Sequence, residues 1–111
     1  IYDCNFIDAK VVGFINKMSN ISNNKYPLFT VVFGKGSNDI ENTEGFKYIN
    51  LYGTYVIGPI FARNPKFLKQ IMLDILDNKE SRVCLKDIQY PYEENGYKIV
   101  YDELLKRKNK G

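Results

Sequence analysis

The sequence predicts an α/β domain. Three observations carry that expectation. Short runs of β-branched and aromatic residues occur at 9–14 and within "LFTVVFGKG"; a longer extended candidate covers 46–60; and an amphipathic stripe opens directly afterwards on Pro65. Of the 111 residues, 44% are hydrophobic and 26% charged, which is the composition of a packed domain rather than a disordered chain. The length suits one domain, or a piece of one.

The elements follow in order. "AKVVGF" (9–14) reads as a strand. "NKMSNISNNKY" (16–26) is rich in Asn and Ser and reads as loop. After Pro27 comes a second strand, in which Thr30, Val31 and Val32 favour extended backbone. "GKGSNDIENTEG" (34–45) carries three glycines with Asn38, Asp39 and Asn42, a turn-rich connection. "FKYINLYGTYVIGPI" is the longest strand candidate. Tyr48, Tyr52 and Val56 alternate there with Ile49, Leu51, Tyr55 and Ile57, so both faces are bulky, as in a strand buried on two sides. Gly53 marks a bulge or a close backbone approach.

A helix is predicted over 65–77. Asn64 is a capping residue, and Pro65 at the first helical position has a preset φ and no amide to satisfy. Phe67, Leu68, Ile71, Met72, Ile75 and Leu76 form one apolar stripe that packs on a sheet. Pro91 reads as a break. A further helix is expected from residue 93 or 97 to 108, burying Ile99, Val100, Leu104 and Leu105; Gly96 leaves its start open.

The net charge of +3 is concentrated at Lys106, Arg107, Lys108 and Lys110, so the remainder of the chain is one charge negative. A nucleic-acid arm is the functional reading of that tail, but no basic patch with interleaved aromatics supports it. The expectation is a solvated helix end favoured by its dipole, with no nucleic-acid partner. No apolar run approaches 18 residues, so a membrane-spanning helix is excluded and a cytoplasmic protein expected. Cys4 and Cys84 lack CxxC spacing and form no disulfide framework. Neither has a visible base beside it, and both are read as structural thiols.

"GKGSN" lacks the Lys-Ser/Thr of a P-loop and opens no helix, so it reads as a hairpin or loop connection. Asp39, Glu41 and Glu44 fall close together, but their spacing fits no EF-hand, and a solvated turn is expected. The chain contains no histidine, so no His-based triad or zinc site can be assembled from it, and no metal is expected.

"VVGFINKMSNI" (11–21), "GKGSNDIENTEGFKYINLYGTYVIGP" (34–59) and "ARNPKFLKQIM" (62–72) occur in one order and spacing. Together they resemble the C-terminal half of the CobB/CobQ-type class I glutamine amidotransferase domain. They are most similar to the branch of the glutaminase subunit of lipid II isoglutaminyl synthase and of cobyric acid synthase. The residues that carry the resemblance are Gly13, Phe14, Asn16, Gly34, Gly36, Asn38, Thr43, Glu44, Gly45, Gly53, Thr54, Tyr55, Gly58, Pro59, Asn64 and Pro65. It covers roughly residues 11–77.

The resemblance implies a three-layer α/β/α sheet, present here as its C-terminal part. The Lys-, Asn- and Ile-rich usage is read separately as that of an AT-rich bacterial genome. The resemblance also implies an activity in which a cysteine of the N-terminal half attacks the glutamine amide, a histidine serves as its base, and ammonia passes to a synthetase subunit. It implies no cofactor. The cysteine elbow falls before Ile1, and the histidine position holds Ile57. Asn16, Asn38, Tyr55 and Gly58 become the candidate substrate-binding residues.

Two readings follow from the resemblance. In the first, the region is non-catalytic and binds a partner: the N-terminal half of its own domain, and a synthetase subunit. In the second, it is the C-terminal half of an active enzyme whose base comes from elsewhere. An unrelated small α/β binding module stands outside both. A chain that is half of a sheet domain also exposes a strand edge and apolar helix surface, and so is expected to self-associate.

Overall fold

The computed structural model describes residues 1–78, 89 and 91–111. These residues form β1 (Tyr2–Asp3), β2 (Lys10–Val11), β3 (Phe14–Ile15), β4 (Phe29–Val31), β5 (Thr43–Glu44), β6 (Phe46–Tyr48), β7 (Leu51–Gly53), β8 (Val56–Ile57), α1 (Ile60–Arg63), α2 (Pro65–Asn78) and α3 (Pro91–Lys110). The architecture is mixed α/β. The described strands make three ladders: a four-stranded sheet in the order β2-β1-β4-β5, a β3–β8 pair and a β6–β7 hairpin. Every pairing among them is antiparallel.

Phe67 is the keystone of the core. Its ring lies 5.5 Å from Phe29 on β4, 5.9 Å from Phe61 on α1 and 6.3 Å from Phe6 after β1. One side chain thus joins the sheet to two helices, and each aromatic pair contributes roughly 0.5–1.5 kcal/mol beyond area burial. Tyr2, Cys4, Val11, Leu28 and Val56 complete the buried cluster. Burial pushes the Cys4 thiol up to about 11, which agrees with a structural thiol. Cys84 lies outside the described residues.

Several sequence expectations are corrected. The strand at 9–14 is two strands, β2 and β3, with Gly13 between them. A Cβ on Gly13 would lie 2.5 Å from Val56 Cγ1 and 2.7 Å from the Ile57 carbonyl oxygen, so only glycine lets β8 approach there. The longest strand candidate is a hairpin followed by β8. The chain reverses at Ile49 and Asn50 between Tyr48 and Leu51, and Ile49 takes a φ of 52°. Asn50 is the turn former in "YINL", but the left-handed residue is Ile49, and a β-branched residue is a poor occupant of that region, so the turn is weakly signalled. The two-faced burial expected here is also wrong: Tyr48, Ile49, Leu51 and Ile57 are exposed, and Val56 is the buried residue. Gly53 sits in β7 with open space around it, and the close contact belongs to Gly45, whose Cβ would meet the Gly53 carbonyl oxygen at 2.7 Å.

α2 starts at Pro65 as expected and ends one residue beyond the expected bound. Its stripe is buried at Phe67, half-buried at Leu68, Ile71, Met72 and Leu76, and exposed at Ile75. Pro91 opens α3 instead of breaking the chain, since its missing N–H is one of those a first helical turn leaves unused. No described residue of α3 is buried. Val100, Leu104 and Leu105 are half-covered, whereas Ile99 is 61% exposed. The helix is moored by Tyr97, whose hydroxyl donates to the Lys10 carbonyl oxygen at 2.7 Å. The basic tail is its last turn, the end where the helix dipole favours cations. Among the described residues no helix is long and apolar enough to cross a membrane.

Candidate functional site

The site is built on β5. Glu44 stands opposite Phe29 on β4, and paired residues of an antiparallel ladder share a face. Phe29 points into the core, so Glu44 does too: it is 0% exposed, where a solvated turn was expected. Its carboxylate meets the turn after β7. Thr54 Oγ1 donates to Glu44 Oε2 at 2.6 Å, and the Tyr55 amide donates to Oε1 at 2.7 Å. The Thr54 hydroxyl oxygen also accepts the Val56 amide at 3.0 Å, which closes the turn into β8.

Burial raises the Glu44 pKa above its ordinary 4.5, while the Thr54 and Tyr55 bonds pull it back. The Tyr2 phenol is pushed up to about 12, first by burial and then by the nearby Glu44 charge.

The "GKGSN" loop supports the same knot. Ser37 donates its amide to the Thr43 carbonyl oxygen at 2.9 Å and accepts the Gly45 amide on Oγ at 3.2 Å. Asn24 Nδ2 donates to the Gly45 carbonyl oxygen at 2.6 Å from the facing loop. Between that loop and the 53–55 turn lies a groove of about 580 Å³, with Ser37 and Glu44 in its floor and Tyr26, Phe46 and Tyr55 among its walls.

The other candidate residues do not converge on this groove. Asn16 is exposed beyond the end of β3. Asn38 is committed to its own loop: Oδ1 accepts the Ile40 and Glu41 amides at 2.8 and 2.7 Å, and Nδ2 donates to the Ile21 carbonyl oxygen at 2.7 Å. Tyr55 lines the groove, and its hydroxyl lies 2.8 Å from Ser19 Oγ. Gly58, at a φ of 117°, packs under the Phe14 ring, where a Cβ would come within 2.9 Å of Cε1. Ile57 pairs with Phe14 across the β3–β8 ladder and is 42% exposed. Asp39 pairs with Lys35 at 3.4 Å on the surface, and Glu41 Oε1 accepts the Asn23 amide at 3.0 Å. Among the described residues no three His, Cys, Asp or Glu side chains gather as a metal site would need.

Asn64 has a role that capping logic missed. Its Oδ1 accepts the Val12 amide at 2.7 Å, and its Nδ2 donates to the carbonyl oxygens of Val12 and Ile60, both at 2.8 Å. The side-chain amide thus behaves as a short extra strand along the end of β2. The Asn-Pro pair at 64–65 signals a cap, and nothing in the sequence points to Val12, 52 residues away.

The geometry defines an α/β region in which two separated tripeptides, 43–45 and 53–55, are tied by one buried carboxylate. Both tripeptides belong to the motif set read from the sequence. No protein-family profile matches the chain. Its similarities are to subunit GatD of the glutamine-hydrolysing lipid II isoglutaminyl synthase. The Streptococcus pneumoniae R6 protein is 32% identical over 106 residues, covering 93% of this chain and 39% of that protein. The Staphylococcus aureus N315 protein is 30% identical over 98 residues, covering 88% of this chain and 40% of that protein. The chain spans about two fifths of the length of these curated relatives. The similarity supports a relation to a glutamine amidotransferase-like region.

Proposed function

We propose that the chain is the C-terminal part of a cytoplasmic, three-layer glutamine amidotransferase-like domain of bacterial CobB/CobQ type, and that it does not supply a catalytic base. Its role in this reading is to pack against the N-terminal half of the same domain and to engage a synthetase subunit. Similarity to the glutamine-hydrolysing subunits over nearly the whole chain supports the relation. The observation that carries the non-catalytic part is Ile57, at the place the resemblance assigns to histidine, in a sequence without histidine. An aliphatic side chain neither accepts nor donates a proton, and loss of a general base costs about 10²–10⁴-fold in rate. The Glu44 knot and Gly58 shape the backbone around position 57, which supports a reading in which local structure outlasts chemistry.

The second reading is an active enzyme with its nucleophilic cysteine and an alternative base outside this chain. The 53–55 turn favours it, because three hydrogen bonds fix its backbone next to position 57. The test compares full-length native protein with its Ile57→His variant for ammonia release from glutamine, each with and without the synthetase subunit. Native protein at background in both conditions is expected. Native turnover on the order of 1 s⁻¹ or faster, within the ordinary enzyme range, overturns the first reading in favour of the second.

A further inference from the structure

We propose that α3 is a strap that opens from the α1–α2 corner as a unit while the sheet and α2 stay folded. A helix in a protein is held in place chiefly by what it buries. α3 runs for 20 residues and buries none of them. The core cluster around Phe67 contains no residue of α3, and neither does the set of half-buried apolar side chains packed against that cluster. The helix rests on α1 and α2. Its apolar stripe, Tyr97, Val100, Tyr101, Leu104 and Leu105, is half-covered along its whole length.

The joint is also open. A cleft of about 250 Å³ separates Glu94, Tyr97 and Lys98 of α3 from Lys10, Asn64 and Phe67 of the body. A gap of this kind forfeits the close atomic contacts that fix a packed helix. Among the described residues, the hydrogen bond that crosses it runs from the Tyr97 hydroxyl to the Lys10 carbonyl oxygen at 2.7 Å. The remaining support of α3 is internal. Pro91 presets its first turn, Glu93 and Glu94 lie in that turn, and Arg107, Lys108 and Lys110 lie in the last, each charge matched to the helix dipole. Arg107 Nε donates to Glu103 Oε1 at 3.1 Å, and the Tyr97 and Tyr101 rings stack 5.9 Å apart at 13°. Those contacts move with the helix. Its closed position therefore depends on a half-covered stripe and one tether, and elements with few buried apolar contacts open at low free energy. Opening bares α1, which the chain enters from Gly58 and Pro59, and the Phe67 side of the cleft. The inference does not depend on whether position 57 is catalytic.

The test is native-state amide hydrogen exchange on the full-length protein, read residue by residue by NMR and corrected for intrinsic rates. The reference is Val31 on β4, whose amide donates to the Asn42 carbonyl oxygen at 2.9 Å. Amides of residues 97–105 should exchange about tenfold faster than Val31, or more. Tyr97→Phe removes the tether; it should speed exchange in α3 about a further fivefold, the net worth of one hydrogen bond, and leave Val31 unchanged. The strap is overturned if α3 and Val31 exchange at one rate in the native protein, which would make them one cooperative unit. It is equally overturned if Tyr97→Phe moves both or neither.

Discussion

Glu44 is the residue on which the described site turns. Replacing it with alanine removes the acceptor for Thr54 and the Tyr55 amide and leaves a part-buried N–H unpaired, a loss of about 1–3 kcal/mol. Glutamine in its place keeps an acceptor and should cost less. The pH dependence has a definite sign. The folded-state pKa of Glu44 is raised above 4.5, so the native state holds its proton over a pH range where the unfolded chain has released it. The contribution of this group is therefore fully present below the unfolded value and is lost as pH rises through the folded one. Urea unfolding at a series of pH values should show native stability falling across that window, and Glu44→Gln should flatten the slope; a slope unchanged by Glu44→Gln would assign the effect to another group. Gly58 gives a second residue-scale outcome. Alanine there meets both a φ of 117° and the Phe14 ring, so Gly58→Ala should lower stability by more than about 1 kcal/mol in the same measurement.

At the scale of elements, the joins are single side chains. Asn64 links the α1–α2 corner to β2 through both backbone groups of Val12, which is fully buried. Asn64→Ala leaves those groups without partners and should cost roughly 2–4 kcal/mol, seen as a fall in the unfolding midpoint and as faster amide exchange at Val12. The β6–β7 hairpin offers the opposite outcome. Ile49 is exposed and held at a φ of 52°, a conformation Asn tolerates better than a β-branched residue. Ile49→Asn should raise stability by about 1 kcal/mol; a neutral or destabilising result would mean that the isoleucine side chain is used by a contact partner.

These two elements also explain what could be read from the sequence. α2 was legible because Pro65 and a 3.6-residue stripe act within one segment. The hairpin was not, because Asn50 alone is a weak signal for a turn whose left-handed residue is Ile49. Glu44 looked like part of a solvated acidic turn because its partners, Thr54 and Tyr55, are ten and eleven residues away. What could be seen was its place in a Thr-Glu-Gly motif, and the structure supplies the physical reason for that motif here.

At the scale of the whole molecule, the apolar surface is unevenly covered. The four-stranded sheet and Phe67 form one core, while Phe14, Ile57 and Phe61 are exposed and the β3–β8 ladder has two strands among the described residues. The 111-residue chain alone should therefore self-associate at micromolar concentration, as exposed apolar patches and unpaired strand edges promote. Sedimentation velocity giving a single monomeric species would contradict this. The relatives are more than twice as long as the matched region, and in the proposed reading the N-terminal half of the domain covers that surface.

The central claim is that an isoleucine stands where proton transfer would be needed. Its most direct test is the rate of ammonia release from glutamine by the full-length protein with the synthetase subunit of the proposed reading, followed from about pH 6 to about pH 9, where a general base reveals itself as a titrating rate. The account predicts background rates throughout, with no inflection. Turnover that rises along a titration curve would show that another group supplies the base, and the claim would be wrong.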